Sequence, residues 1–509
     1  MRFPDPAKTG GPSSASSHVL GGKAPLAKRI SLYIVISLLG TLVFVPGMTN
    51  SFLSDDWPVI ARNKDTLPLH AGQLFKSVRH GWYRPVFDLF IALCWKLFGL
   101  DASLYHLTIA LLYAVTAALV GSFAEVLVGS RGVGVLSCVL FATHGVHAEP
   151  ALWIASSNEV LAGLFALLSI TSYAAFRRSR RPLLWLTGAW LCYLLAIGCK
   201  ETAVFLPLLV VGYDVWIGAS ATEATGWSKF APTVPFLLAG LAFTAFRIRT
   251  GSPYPVSVGV ARILINVVYY LAVECLALPD NYGYLTSLSL WRQSPFLPLL
   301  TVGLGTGSLG ILLWGYRRFG PGRSLSEYDR ARKFALGWSI CALLPVVLTA
   351  TGRTAFMSSI GVAWFIAVLS FVAWRSARDD QKARRAVVAA LALFIIANLL
   401  VSSYRASCWR QAGHTMENVL SQLDHQLRGT SDDSEICLVG LPDHIEHAYT
   451  FRNAFPALAR LLYPDRNMRA ILDVDSTGQE RTVQELGRMD VCGNGLVLWY
   501  DGTALERVR

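Results

Sequence analysis

The sequence is short of charge. Asp, Glu, Lys and Arg make up 15% of its 509 residues, against about 25% in an ordinary soluble domain. A soluble chain of this length divides into several domains, each needing a charged surface, so a set of water-facing domains is excluded. The nine cysteines contain no C-x-x-C metal pattern. No 34-residue helical repeat runs through 406–509. No small-residue A-x-A site follows the first apolar run, so that run reads as an anchor rather than a cleaved signal. What the chain has in quantity is apolar sequence: 53% hydrophobic residues and a mean hydropathy of +0.44. That composition belongs to a polytopic membrane protein and excludes disordered, collagen-like and disulfide-stapled classes.

Residues 1–29, rich in Gly, Pro, Ser and Lys, read as a flexible cytoplasmic arm. Ile30 to Pro46 is an apolar run of near-spanning length, and Lys28 and Arg29 ahead of it put its start on the cytoplasmic side. The segment 50–85 is a polar first external loop. Residues 85–100 are apolar but short, and they carry Asp88 and Lys96, so an interfacial helix is expected. Further spans are expected at 104–128, 132–148, 152–176, 183–199, 202–217, 230–248, 296–316, 334–351, 355–374 and 386–404, with 261–279 left open. The predicted fold class is therefore an all-α polytopic membrane protein of about 11 transmembrane helices in 30–405, followed by a small α/β external domain in 406–509. Within that domain EICLVGLPD and GLVLWYDG read as strands, and NAFPALARLLYP reads as a helix. Its Cys437 and Cys492 are either a disulfide pair or two buried thiols.

Charge sets the expected topology. Six stretches, 1–29, 129–132, 177–182, 217–229, 317–333 and 375–385, carry 22 Lys and Arg against 6 Asp and Glu, whereas the whole chain is only +12. The basic excess thus falls on one side, as cytoplasmic loops require. The N-terminus is expected in the cytoplasm and the C-terminal domain outside, in the periplasm or a lumen. Because loop orientation accounts for the cations, and no groove-reading element is present, no nucleic-acid partner is expected.

Ionisable groups at membrane depth are costly and mark function. Those at the expected outer ends of spans are Asp55 and Asp56, Arg84, His106, His144 with His147 and Glu149, Glu159, Lys200 with Glu201, and Arg353. Asp55 and Asp56 could be a loop or cap; Lys200 and Glu201 could be a structural pair; Arg353 could snorkel to the interface. His144, His147 and Glu149 could ligate a divalent metal ion, the one cofactor weighed, or shape a cavity by hydrogen bonds. Together, cations at the bilayer edge suit a lipid-borne phosphate, and a carboxylate beside them suits a general base on an acceptor hydroxyl. Those are the demands of inverting glycosyl transfer from a lipid-phosphate sugar, and a polyprenyl-phosphate donor is expected. A flippase for lipid-linked sugars and a non-catalytic envelope scaffold are the alternatives.

The succession SDDWPVIARNKD, YRPVFDLF, SLYHLTIALLYAV, FATHGVHAEPALWIASSNEVLAG and GCKETAVFLPLLVVGYDVW resembles the TMTC group of transmembrane O-mannosyltransferases, within the GT-C class of membrane glycosyltransferases. ATGRTAFMSSIGVAW resembles a later segment of that family. The resemblance implies a GT-C-like catalytic domain over 30–405 and transfer of mannose or a similar hexose to a protein, lipid or glycan acceptor. It implies a catalytic carboxylate from Asp55 or Asp56. It places Arg84, His106, His144, His147, Glu149, Glu159, Lys200 and Glu201 at substrate-binding positions, with Arg353 on the donor phosphate. The sequence departs from the family pattern at Thr108, Gly145, Asn158 and Gly352. It also shows none of the family's helical repeats in 406–509, which leaves sugar and acceptor open.

Overall fold

The protein is seen in a computed structural model, which describes residues 26–65, 83–218, 226–251, 259–279, 295–320, 326–348, 351–428, 435–473 and 495–508. Most of the predicted arm, 1–25, lies outside the described residues. Its last four residues do not belong to an arm; they open helix α1 (Leu26–Thr41), because Leu, Ala, Lys and Arg are all good helix formers.

Among the described residues eight helical segments are long and apolar enough to cross a membrane: Ile30–Gly47, Ala102–Val128, Ile154–Phe176, Pro182–Cys199, Phe230–Thr250, Phe296–Phe319, Gly352–Ser376 and Gln381–Gln426. The chain is an integral, multi-pass membrane protein. Three of the 11 expected spans are missing from that set. The segment at 132–148 stops as a helix at Ala142 and continues as a 3-10 turn, Gly145–His147. The segment at 202–217 opens as a 3-10 turn, Glu201–Phe205, before the helix Leu206–Trp216. The segment at 334–351 is helical over Ser326–Leu343, so its first turns hold Glu327, Asp329, Arg330, Arg332 and Lys333. The open stretch 261–279 forms the helix Val260–Cys275, 16 residues, or about 24 Å against a hydrocarbon core of about 30 Å.

Four helices carry or flank Asp55, Asp56, Arg84, Glu159, Lys200 and Glu201: α2 (Asp56–Asn63), α3 (Pro85–Phe98), α4 (Asn158–Phe176) and α5 (Pro182–Cys199). Pro85 stands at the first helical position of α3, where its missing N–H is harmless. Asp88, an acid in an otherwise apolar segment, accepts from Arg62 (2.8 Å) and Asn63 (3.0 Å), clipping α2 onto α3. Gly198 permits α5 to close on α3, since a Cβ there would lie 2.6 Å from Val86 Cγ2. Asp214 lies in a separate structural lock, bonded by Tyr173 (2.6 Å) and Arg177 (2.8 Å).

The composition change near 406 falls inside one continuous helix, α6 (Gln381–Gln426), 46 residues and about 69 Å long. Beyond it lies the small α/β unit expected from sequence. Strands β1 (Glu435–Leu441), β2 (Asn467–Leu472), β3 (Leu496–Tyr500) and β4 (Leu505–Arg507) form one sheet in the order β2-β1-β3-β4. The first three strands are parallel and β4 is antiparallel to β3. β1 is buried nearly throughout, as a central parallel strand should be. Cys437 on β1 is disulfide-bonded; Cys492 lies outside the described residues.

Candidate functional site

The site begins at chain breaks. The run FATHGVHAEPALWIASSNE cannot stay one helix, because His144 caps the following 3-10 turn, its Nδ1 accepting from Val146 N–H (3.3 Å), and Pro150 follows. Two short turns separate the helices, and α4 starts at Asn158. Asn158 and Glu159 therefore sit in the first turn of α4 rather than two turns inside it. Lys200 lies in extended backbone just past α5, and Arg84 stands just before the first residue of α3.

These breaks bring three cation–carboxylate pairs together. Arg84 grips Glu201 with two bonds, Nη2 to Oε1 at 2.8 Å and Nε to Oε2 at 3.0 Å. Lys200 donates to Glu159, both buried. Arg353, on the turn Gly352–Ala355, donates to Glu149 at 2.8 Å. Glu159 feels Lys200, Arg353 and Arg84 together, and the three cations oppose one another. The pairs are thus one cluster of three positive and three negative groups. Burial works against the Glu201 carboxylate, but the Arg84 guanidinium overcomes it and holds it at about 2. Burial also lowers Lys200, against the pull of Glu159. The second Glu159 oxygen has no hydrogen-bond partner among the described residues.

The two residues of the acidic pair have different surroundings. Asp56 is buried; its Oδ2 accepts from Leu53 N–H (2.9 Å) and its Oδ1 from Ala155 N–H (2.7 Å). Burial pushes its carboxyl up to about 8 in spite of those bonds. Asp55 is only partly buried, and its Oδ1 accepts from Asn453 Nδ2 at 2.8 Å. Trp153 joins pair and cluster. Its indole N–H points at Leu53 C=O (3.4 Å), while the Arg353 guanidinium lies 5.1 Å from its ring centre.

The histidines do something else. His147 has both ring nitrogens engaged, by Tyr113 Oη and Ser359 Oγ, each at 2.8 Å. His144 Nε2 contacts the Glu274 carbonyl at 3.0 Å. Glu149 belongs to Arg353. Among the described residues no three His, Cys, Asp or Glu side chains converge as metal ligands. His144, His147 and Glu149 do not make a donor set in this arrangement. His106 is buried against the backbone of Asn50, and neither ring nitrogen has a partner in hydrogen-bond geometry among the described residues.

Sequence reasoning passed over three contributors. Glu274 is buried and accepts from Ser358; an acid within VVYYLAVEC was the available signal. Trp153 carried no signal beyond its aromatic ring. Asn453 carried none, because its contact spans 398 residues.

Fold and site together define a membrane protein with its charged chemistry gathered where helices break. No family model matches the chain. The sequence is 30% identical over 199 residues to Protein O-mannosyl-transferase TMTC2 of Homo sapiens, covering 36% of this chain and 24% of that protein. It is 25% identical over 187 residues to human Protein O-mannosyl-transferase TMTC3, covering 34% and 20%. The resemblance to the TMTC O-mannosyltransferases is thereby borne out, and the chain spans about a quarter of the length of those relatives. Among solved structures, ArnT from Cupriavidus metallidurans bound to undecaprenyl phosphate is similar with a TM-score of 0.46 and 12% identity, over 88% of this chain and 90% of that one. The archaeal oligosaccharyltransferase AglB from Archaeoglobus fulgidus, in complex with an inhibitory peptide and a dolichol-phosphate, has a TM-score of 0.45 and 12% identity over 85% and 65%.

Proposed function

We propose that the protein is a glycosyltransferase that moves a hexose, with mannose the first candidate, from a polyprenyl-phosphate donor to an acceptor hydroxyl on the external face of the membrane. The observation that carries the reading is the convergence of Arg84, Lys200 and Arg353, from three distant segments, joined through Trp153 to the loop of the acidic pair. An arriving phosphate competes with Glu201, Glu159 and Glu149 for these cations, and it gains most from them as its negative charge grows while the sugar leaves. Asp55 takes the proton from the acceptor oxygen, which attacks the anomeric carbon opposite the departing phosphate and inverts it. Asp56 holds the loop in place through Leu53 and Ala155. The similarity to O-mannosyl-transferases supports the sugar. A flippase would place its polar groups near the bilayer midplane between repeats; here they collect where helices end. With purified protein and a radiolabelled polyprenyl-phosphate hexose, Asp55→Asn is expected to abolish transfer while the protein accumulates normally. Full activity in that variant would sink the assignment of the base.

A further inference from the structure

The α/β unit is not a separate appendage. It is seated on the loop that bears the acidic pair. Ser54 N–H donates to Thr450 C=O at 2.8 Å, and Ser54 Oγ donates to Arg452 C=O at 2.7 Å. Trp153 packs on Tyr449, with ring centres 5.3 Å apart. The short helix Ala457–Leu462 lies against α2. At the exposed edge of this seam Asn453 donates Nδ2 to Asp55 Oδ1.

Asn453 is held there by its own backbone. Its φ is +59°, and Ser54, one residue before Asp55, has φ of +47°. Few side chains tolerate that region; Asn does. The segment is fixed from behind by Asp443, which accepts from Arg452 Nε at 2.9 Å and from Thr450 N–H through its carbonyl at 3.0 Å. Arg452 also stacks 4.5 Å above Tyr449. The turn is thus built rigidly and presents one amide donor to one carboxylate oxygen.

Resting on the reading of Asp55 as base, the structure assigns Asn453 as a positioning residue. Its amide orients the Asp55 carboxylate, so that one oxygen is tied down and the carboxylate is aimed by the α/β unit. The unit therefore takes part in catalysis through Asp55, and its seating on the loop is required for turnover.

The left-handed backbone suggests two clean variants. Asn453→Gly keeps the conformation at no steric cost and deletes the donor. Asn453→Asp also tolerates the conformation and sets a second carboxylate against Asp55. Kinetics with a radiolabelled polyprenyl-phosphate hexose are expected to show kcat lowered about 10- to 100-fold in Asn453→Gly, since small misplacement of a reacting group costs that much. KM for the donor should be unchanged, and Asn453→Asp should be worse. A purely structural contact would lower the amount of folded protein without splitting kcat from KM. Deuterium uptake over residues 52–60 gives a second readout that needs no transfer activity; it is expected to rise in both variants. If wild-type transfers sugar and Asp55→Asn is dead, but Asn453→Gly has wild-type kcat, the positioning role is overturned and the proposed function stands. If Asp55→Asn stays active, the assignment of Asp55 as base fails, and the positioning role of Asn453 fails with it. Unchanged uptake over 52–60 in both variants overturns the positioning role whatever the transfer assay gives.

Discussion

Asp55 and Asp56 are neighbours in sequence with different surroundings. A carboxyl pushed up to about 8 in the folded protein keeps a proton that the unfolded chain has released. Its contribution to stability is therefore greatest near and below the usual carboxyl range, and is lost as pH rises from about 4 toward about 8. Asp56→Asn, neutral at every pH, is expected to flatten that fall, read as the unfolding temperature in detergent from pH 5 to 9. It should keep substantial transfer activity, in contrast to Asp55→Asn. An unchanged pH slope in Asp56→Asn would contradict the assignment. The family departure at Gly145 has an equally local reason. Its N–H donates to Asn398 Oδ1 (3.1 Å), and a Cβ there would come within 2.6 Å of Val401. A proline would lack that N–H and collide with Val401.

At the scale of elements, helix ends rather than helix middles make the site. The closeness of α3 and α5 sets the span from Arg84 to Glu201, and Gly198 permits it. Gly198→Leu is expected to destabilise by about 1–3 kcal/mol through overpacking against Val86. It should also weaken transfer, because Val86 is two residues from Arg84. Thermal unfolding and turnover should fall together; a variant as stable as wild type would refute the tight contact. These elements were partly legible in the sequence. Apolar length identified eight membrane segments. It also overran into HGVHAEP, GCKET and SEYDRARK, because hydropathy averages over a window and does not see a cap, a 3-10 turn or a charged first turn. The paired partners were legible only as ionisable groups at segment ends. Lys200 looked like the partner of its neighbour Glu201, yet it bonds Glu159, and Glu201 bonds Arg84. Adjacent residues at an extended junction point apart, so sequence neighbours were the wrong pairing.

For the whole molecule, the loop charges make a prediction about sides. With the unmodified chain as background, Thr503→Cys in the α/β unit should react with a membrane-impermeant maleimide on intact cells. Arg180→Cys, in a basic loop, should react only after lysis. The reverse pattern would overturn the orientation that places the site outside.

Composition and apolar length by themselves determined that the chain lives in a membrane, roughly where it crosses, and which scarce ionisable groups had to be explained. Those properties are additive along a chain, because transfer into hydrocarbon is a sum over residues. Tertiary structure decided which cation meets which carboxylate and which aspartate is engaged by backbone N–H groups. It also decided that a turn some 400 residues from Asp55 supplies its amide partner. Such contacts depend on where separate helices end in space, and no local pattern encodes that.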